Sequence, residues 1–370
     1  MKIWKYKRLS ECSNFVSERT SNIAIDNYIS TENMIENRGG VKEAAALPDV
    51  KSTSAYKPND ILLSNIRPYF CKIWFADKKG SCSNDVLVVR AKKEVDPKFL
   101  YYVLSDQNFF NWDSMTSKGT KMPRGTPNAI MKYSVPDLPF HTQQKIASIL
   151  SAYDNLIQNY KKQIEALQIA ASELYKEWFV RFRFPRYQTT KFENGIPKGW
   201  KVEKLGTLAN ISTGKCNRED AEEDGIYPLF DRSQEIKKSN EWIKDCEAII
   251  VPGEGTSFIP RYYKGKFNLH QRCYCVEPKY PNFGKFLFYV LMLNRKYFLS
   301  VATGATVPSL RYNNFASMKF VLPEMSLCNN FNKIADDIFA KVDNLQQQIT
   351  NLTQQRDLLL PRLMSGKLEI

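Results

Sequence analysis

Residues 146–178 read IASILSAYDNLIQNYKKQIEALQIAASELYKEW, and the fold turns on how their apolar side chains are spaced. Ile146, Leu150, Tyr153, Ile157, Tyr160, Ile164, Leu167, Ala171, Leu174 and Trp178 follow one another in alternating steps of four and three. That is a heptad seam. A stripe this narrow and this long calls for a second long helix, whereas a helix lying on its own globule shows a wider apolar face. A helix from Thr142 to Val180 would be roughly 58 Å long at about 1.5 Å per residue. The partner lies further along the chain, where Ile334, Ile338, Val342, Leu345, Ile349 and Leu352 repeat the pattern. Its early four-four spacing looks like a stutter, Arg356 stands where an apolar residue is expected, and Pro361 and Gly366 end it.

Outward from the helices, the chain repeats itself. Gly119-Thr-Lys-Met-Pro123 is echoed by Gly304-Ala-Thr-Val-Pro308, Phe99–Leu104 by Phe286–Leu291 and Leu138-Pro139 by Leu322-Pro323. Lys145-Ile-Ala147 returns as Lys333-Ile-Ala335, and Asp154-Asn155 as Asp343-Asn344; all five offsets lie between 184 and 189. Matches that keep their order and spacing mark a tandem duplication. Strand-like runs at 60–64, 72–75 and 85–90 have counterparts at 248–251, 262–267 and 272–277, punctuated by turn residues. The expected fold is α+β, with two pseudo-symmetric recognition domains (1–140 and 183–325), each followed by a long helix (141–182 and 326–370). The first helix carries the chain away from the first domain, so an antiparallel return of the second would hold the two domains at a fixed separation. A two-fold reader of that kind matches the local symmetry of duplex DNA.

Composition narrows the class. The 370 residues carry 53 Lys and Arg against 39 Asp and Glu, a net charge of +14, which points to a polyanion such as nucleic acid or to an acidic protein surface. No stretch approaches the roughly 20 apolar residues of a membrane span, and the N-terminus lacks a signal-peptide core, so a cytoplasmic protein without a membrane partner is expected. The eight cysteines are scattered without a CxxC pair and only His141 and His270 accompany them, so no metal site is expected.

Catalytic motifs are missing. There is no Asn/Asp-Pro-Pro-aromatic tetrapeptide of the kind that grips a flipped base, and Gly253-Glu-Gly255 and Gly265-Lys266 do not make a phosphate-binding loop. A nuclease-like set forced from Asp224, Glu235 and Lys237 is what chance supplies in a charged chain, and His141 reads as a surface or capping residue. No catalytic residue is assigned.

The order of several further stretches resembles the specificity subunit of type I restriction–modification systems. They are Val135-Pro-Asp-Leu-Pro139, Gln143-Gln-Lys-Ile-Ala147, Glu173–Val180, Gly195-Ile-Pro-Lys-Gly-Trp200 with Lys204-Leu-Gly206, and Leu360–Leu368. The resemblance implies a non-catalytic subunit that reads a bipartite site in double-stranded DNA, one domain per half. It also implies two docked methyltransferase subunits and an ATP-dependent restriction and translocation subunit able to join. S-adenosylmethionine, ATP and Mg would then belong to the partners, and this chain would hold no cofactor. One departure stands out: Glu324–Phe331 introduces the second helix where the first has the more family-like Phe140-His-Thr-Gln-Gln144.

Affinity for DNA comes from phosphate contacts and specificity from base edges. In the first half the expected contacts are Ser64, Asn65 and Arg67 after a strand, with Lys118, Lys121 and Arg124 around the Gly119–Pro123 turn. In the second they are Thr256, Ser257, Arg261, Tyr262 and Lys264, with Arg311 and Tyr312 after the Gly304–Pro308 turn. The alternatives are a stand-alone nuclease or methyltransferase, and a scaffold that assembles a restriction complex without reading DNA.

Overall fold

The chain is α+β in a computed structural model that describes residues 4–368. It divides into two units, Met1–Tyr160 with Gln347–Ile370, and Lys161–Gln346. Both boundaries fall inside the long helices, Phe140–Tyr175 and Met325–Met364, so each unit contains one end of each helix.

In the first unit, strands β1 (Ser13–Phe15), β2 (Ile61–Ser64), β3 (Ile73–Phe75) and β4 (Val86–Ala91) form an antiparallel sheet in the order β1-β4-β2-β3. The run Ile61-Leu62-Leu63 is apolar throughout because both faces of β2 are covered. Ile61 and Leu63 pack with helix α1 (Pro97–Ser105) and both long-helix ends, whereas Leu62 joins a second cluster with Ile29, Tyr56 and Cys82. Helix α2 (Gln107–Thr116) follows directly, with Asp106 capping its first turn through the Asn108 amide.

The second unit repeats this plan. Strands β5 (Ala209–Thr213), β6 (Lys244–Pro252), β7 (Arg261–Leu269) and β8 (Cys273–Pro278) lie in the order β5-β8-β6-β7, the same order as before. Two short strands at 227–230 and 237–239 widen this sheet to six. Ile249 and Val251 face helices α3 (Gly284–Leu293) and α4 (Arg295–Val301), while Ala248 and Ile250 face the other way.

Within the first unit, Ile146, Ala147 and Leu150 at the start of the first long helix share a core with Leu360 and Leu363 at the end of the second. Within the second unit, Ala171 and Tyr175 pack with Phe331 and Ala335. The segments that meet in each unit run in opposite directions. Ile146, Leu150 and Ile157 are buried, and Tyr153, Tyr160, Ile164 and Leu167 half-buried.

The second helix corrects the expected seam. Ile334 is 41% exposed, whereas Phe331 and Ala335 are fully buried. The series Phe331, Ala335, Ile338, Val342, Leu345, Ile349, Leu352 and Arg356 alternates four and three without interruption, so there is no stutter. Pro361 does not end the helix, which continues to Met364, and Gly366 turns the chain at a φ of 70°. At the other seam's end, the first helix widens into a π turn over Lys176–Val180, closed by Arg181 N–H donating to Lys176 O. The extra residue per turn lets the neighbours Trp178 and Phe179 both enter the core. Among the described residues all eight cysteines are unpaired thiols, no cluster could hold a metal ion, and no helix is long and apolar enough to cross a membrane.

Candidate nucleic-acid interface

In the first unit the loop after β2 and the Gly119–Pro123 turn are stitched together by main-chain bonds. Arg67 N–H donates to Pro123 O (2.8 Å), Gly125 N–H to Asn65 O (3.0 Å), and Lys118 and Arg124 exchange N–H···O bonds (both 2.9 Å). Asn65 N–H donates to Asp85 O at the foot of β4. The loop is held in a costly shape, since Arg67 sits at a φ of 50°, a region non-glycine residues avoid. Lys118, Lys121 and Arg124 are exposed on the surface this makes, and Arg124 reaches Asp85 at 3.2 Å. A stitched lip with exposed cations is what phosphate contacts need. Ser64 is buried and its hydroxyl donates to Ile66 O, so it shapes the loop instead of facing outward, contrary to expectation.

The same stitching recurs in the second unit. Gly255 N–H donates to Pro308 O (3.0 Å), Leu310 N–H to Gly253 O (2.8 Å), and Thr303 and Ser309 exchange bonds (2.9 and 2.7 Å). Asn65-Ile66-Arg67 therefore corresponds to Gly253-Glu254-Gly255, a few residues before the expected Thr256–Lys264 set. Thr256 is exposed, and Ser257 is half-buried with its carbonyl accepting from Arg295. Arg311 and Tyr312 are exposed beside the turn.

Arg261 and Tyr262 correct the expected contact set, because both are engaged inside the unit. The Arg261 guanidinium donates to Ser233 O (2.9 Å) and Asp231 O (2.6 Å) and lies over the Phe230 ring. Tyr262 donates to Glu247 (2.6 Å) and accepts from Lys285, which also pairs with Asp336. Lys264 is exposed, but it pairs across β6 with Glu247, six residues before Gly253 and roughly 20 Å along the strand.

Residues that the sequence pattern did not single out carry charge beside the second lip. Glu254 is pinned by Arg232 (2.8 Å) and Arg272 (3.3 Å), whose side chains remain about half exposed. Arg232 and Glu254 border a cleft of about 280 Å³ with Arg218, Asp231 and His270. Burial and then the nearby Arg232 hold the His270 imidazole below its usual range, so it is neutral near pH 7. Asp231 is buried, yet Ser233 and Lys237 hold its carboxylate down to about 2, keeping it charged.

Two copies of one α+β unit, each presenting a stitched polar lip at the end of its sheet, define a duplicated recognition chain. The family model for the type I restriction modification DNA specificity domain matches residues 1–168 and 197–357, and the chain belongs to that family. It is 26% identical over 316 residues to the type I restriction enzyme MjaIX specificity subunit of Methanocaldococcus jannaschii, covering 75% of this chain and 71% of that one. The EcoDI specificity subunit of Escherichia coli is 31% identical over 177 residues, 47% of this chain and 39% of the other. A solved type I restriction–modification S subunit from M. genitalium shares the fold with a TM-score of 0.62 at 18% identity, covering 98% of this chain and 96% of that chain.

Proposed function

We propose that the chain is the non-catalytic specificity subunit of a type I restriction–modification complex, reading a two-part DNA target with one lip per half. The observation that carries the reading is the repeated stitching: identical main-chain bonds hold two lips whose side chains differ. Arg67 and Arg124 in one stand where Gly255 and Ser309 stand in the other, so the half-sites should differ and the target should not be a palindrome. The long helices, pairing antiparallel as a coiled coil, would fix the spacer between the halves and offer surface to two methyltransferase subunits and a restriction subunit. S-adenosylmethionine, ATP and Mg would be held by those partners.

The test is to express the chain with a type I methyltransferase subunit and locate modified adenines by long-read sequencing. The expected result is one discontinuous, asymmetric motif that disappears without this chain. Methylation that keeps its pattern when this chain is removed, or methyl transfer by this chain alone, would overturn the proposal.

A further inference from the structure

Beneath the first lip lies a polar wedge that the second lip does not have. Asp113 on α2 is fully buried, and neither carboxyl oxygen has a partner; Asn65 Oδ1 above it is also buried without one. Both oxygens face the bare Cα of Gly125, where a Cβ would lie 2.5 Å from Asp113 Oδ1 and 2.9 Å from Asn65 Oδ1. Burial of unpaired polar atoms is costly. Two buried acceptors that border one small space call for a donor there. The Asp113 carboxyl can donate a hydrogen to the Asn65 carbonyl, or the turned Asn65 amide can donate one to the carboxylate.

The second unit shows that the fold does not require this wedge. The Lys118–Arg124 bridge recurs 185 positions on as Thr303–Ser309. At the same displacement Asp113, Gly125 and Ile130 become Phe298, Leu310 and Phe315, all buried in one apolar cluster, with the two rings 4.9 Å apart. Asn65 becomes Gly253. One lip rests on hydrocarbon, the other on a carboxyl aimed at the side chain that opens its reading loop.

We propose that Asp113 is a positioning residue for DNA reading, fixing the Asn65 side chain and with it the strained Asn65–Arg67 loop, so that it governs specificity at one half-site alone. This rests on the proposed reading of the lips as the DNA-contacting surface.

The test uses the full chain in complex with its methyltransferase partner, with discrimination at each half-site read from long-read methylation patterns. Asp113→Leu should relax discrimination at one half by about tenfold, the scale of one well-placed base contact, and leave the other half unchanged. Asp113→Asn, whose amide can still share a hydrogen with Asn65, should restore it. Asn65→Ala should relax the same positions, with Asp113→Leu adding nothing further. An Asp113→Leu complex that assembles and keeps the wild-type pattern, whatever its melting temperature, overturns the inference. Should that variant not assemble, Asn65→Ala decides alone: relaxation at one half supports the inference, an unchanged pattern ends it. A Lys121→Glu/Arg124→Glu variant separates the two levels. If it weakens DNA binding by the complex while Asp113→Leu leaves discrimination intact, only the role of Asp113 falls. If it leaves DNA binding unchanged, the lip does not meet DNA and both readings fall.

Discussion

Arg356 reaches Asp154 at 2.7 Å at a point in the heptad register where an apolar side chain would ordinarily sit. Asp154 also accepts from the Tyr102 hydroxyl (2.6 Å), so the pair ties the end of the second long helix to the start of the first and to α1 within one unit. Its side chains are only 17% and 27% exposed. Breaking such a pair from one side strands the other charge. Arg356→Met is therefore expected to destabilise the first unit by about 2–3 kcal/mol, discounted for partial exposure. Adding Asp154→Asn, which still accepts from Tyr102, should recover most of the loss. Urea titrations of both variants check this, and a double variant as unstable as the single one would contradict it.

The first long helix was legible because its seam is written in large apolar and aromatic residues at every step but Ala171. The second was misread by one register at its start, because Ala335, fully buried against Tyr175 and Phe331, looks unremarkable in sequence while the exposed Ile334 looks like core. The duplication predicted three strands of each sheet and both turns, but not the edge strands Ser13–Phe15 and Ala209–Thr213. The residues around the two lips were harder to read. Arg261 and Tyr262 look available until Asp231 and Ser233 from a loop and Glu247 from β6 engage them, and Arg232 and Arg272 converge on Glu254 from 40 residues apart. Such convergence depends on loop geometry, which leaves no periodic trace.

Charge on the first lip should appear in the salt dependence of binding. Removing Lys121 and Arg124 together by alanine substitution should weaken DNA binding by a similar factor at cognate and unrelated sequences. The slope of log K against log salt should fall by about 1 for each phosphate that the variant no longer neutralises. Filter binding of the assembled complex at several salt concentrations measures it, and an unchanged slope would remove these residues from the interface.

Asp113 should give the chain a pH signature separate from DNA binding. Burial alone pushes its carboxyl up to about 7 from an ordinary value near 3.8. Between these values the folded chain keeps a proton that the unfolded chain has released, so folding is progressively disfavoured as pH rises. The stabilising contribution is complete below the unfolded value and lost as pH climbs through about 7. Asp113→Asn stays neutral throughout. The wild-type Tm relative to that variant should fall by about 5 °C from pH 4.5 to pH 7.5, and parallel Tm curves would show that Asp113 titrates normally.

The paired turns differ in how tightly they need glycine. Gly119 and Gly304 both adopt left-handed backbone, at φ of 99° and 123°. A Cβ on Gly119 would meet Met122 O at an acceptable 3.4 Å, but on Gly304 it would lie 2.5 Å from Val307 O, within the turn that Gly255 clasps through Pro308. Gly119→Ala should therefore cost about 1 kcal/mol, the conformational penalty alone. Gly304→Ala should cost roughly 2–3 kcal/mol, because the carbonyl it would strike is backbone and cannot swing aside. Chemical denaturation of the two variants side by side tests the difference, and equal losses would mean that the second turn has room the contact distance denies.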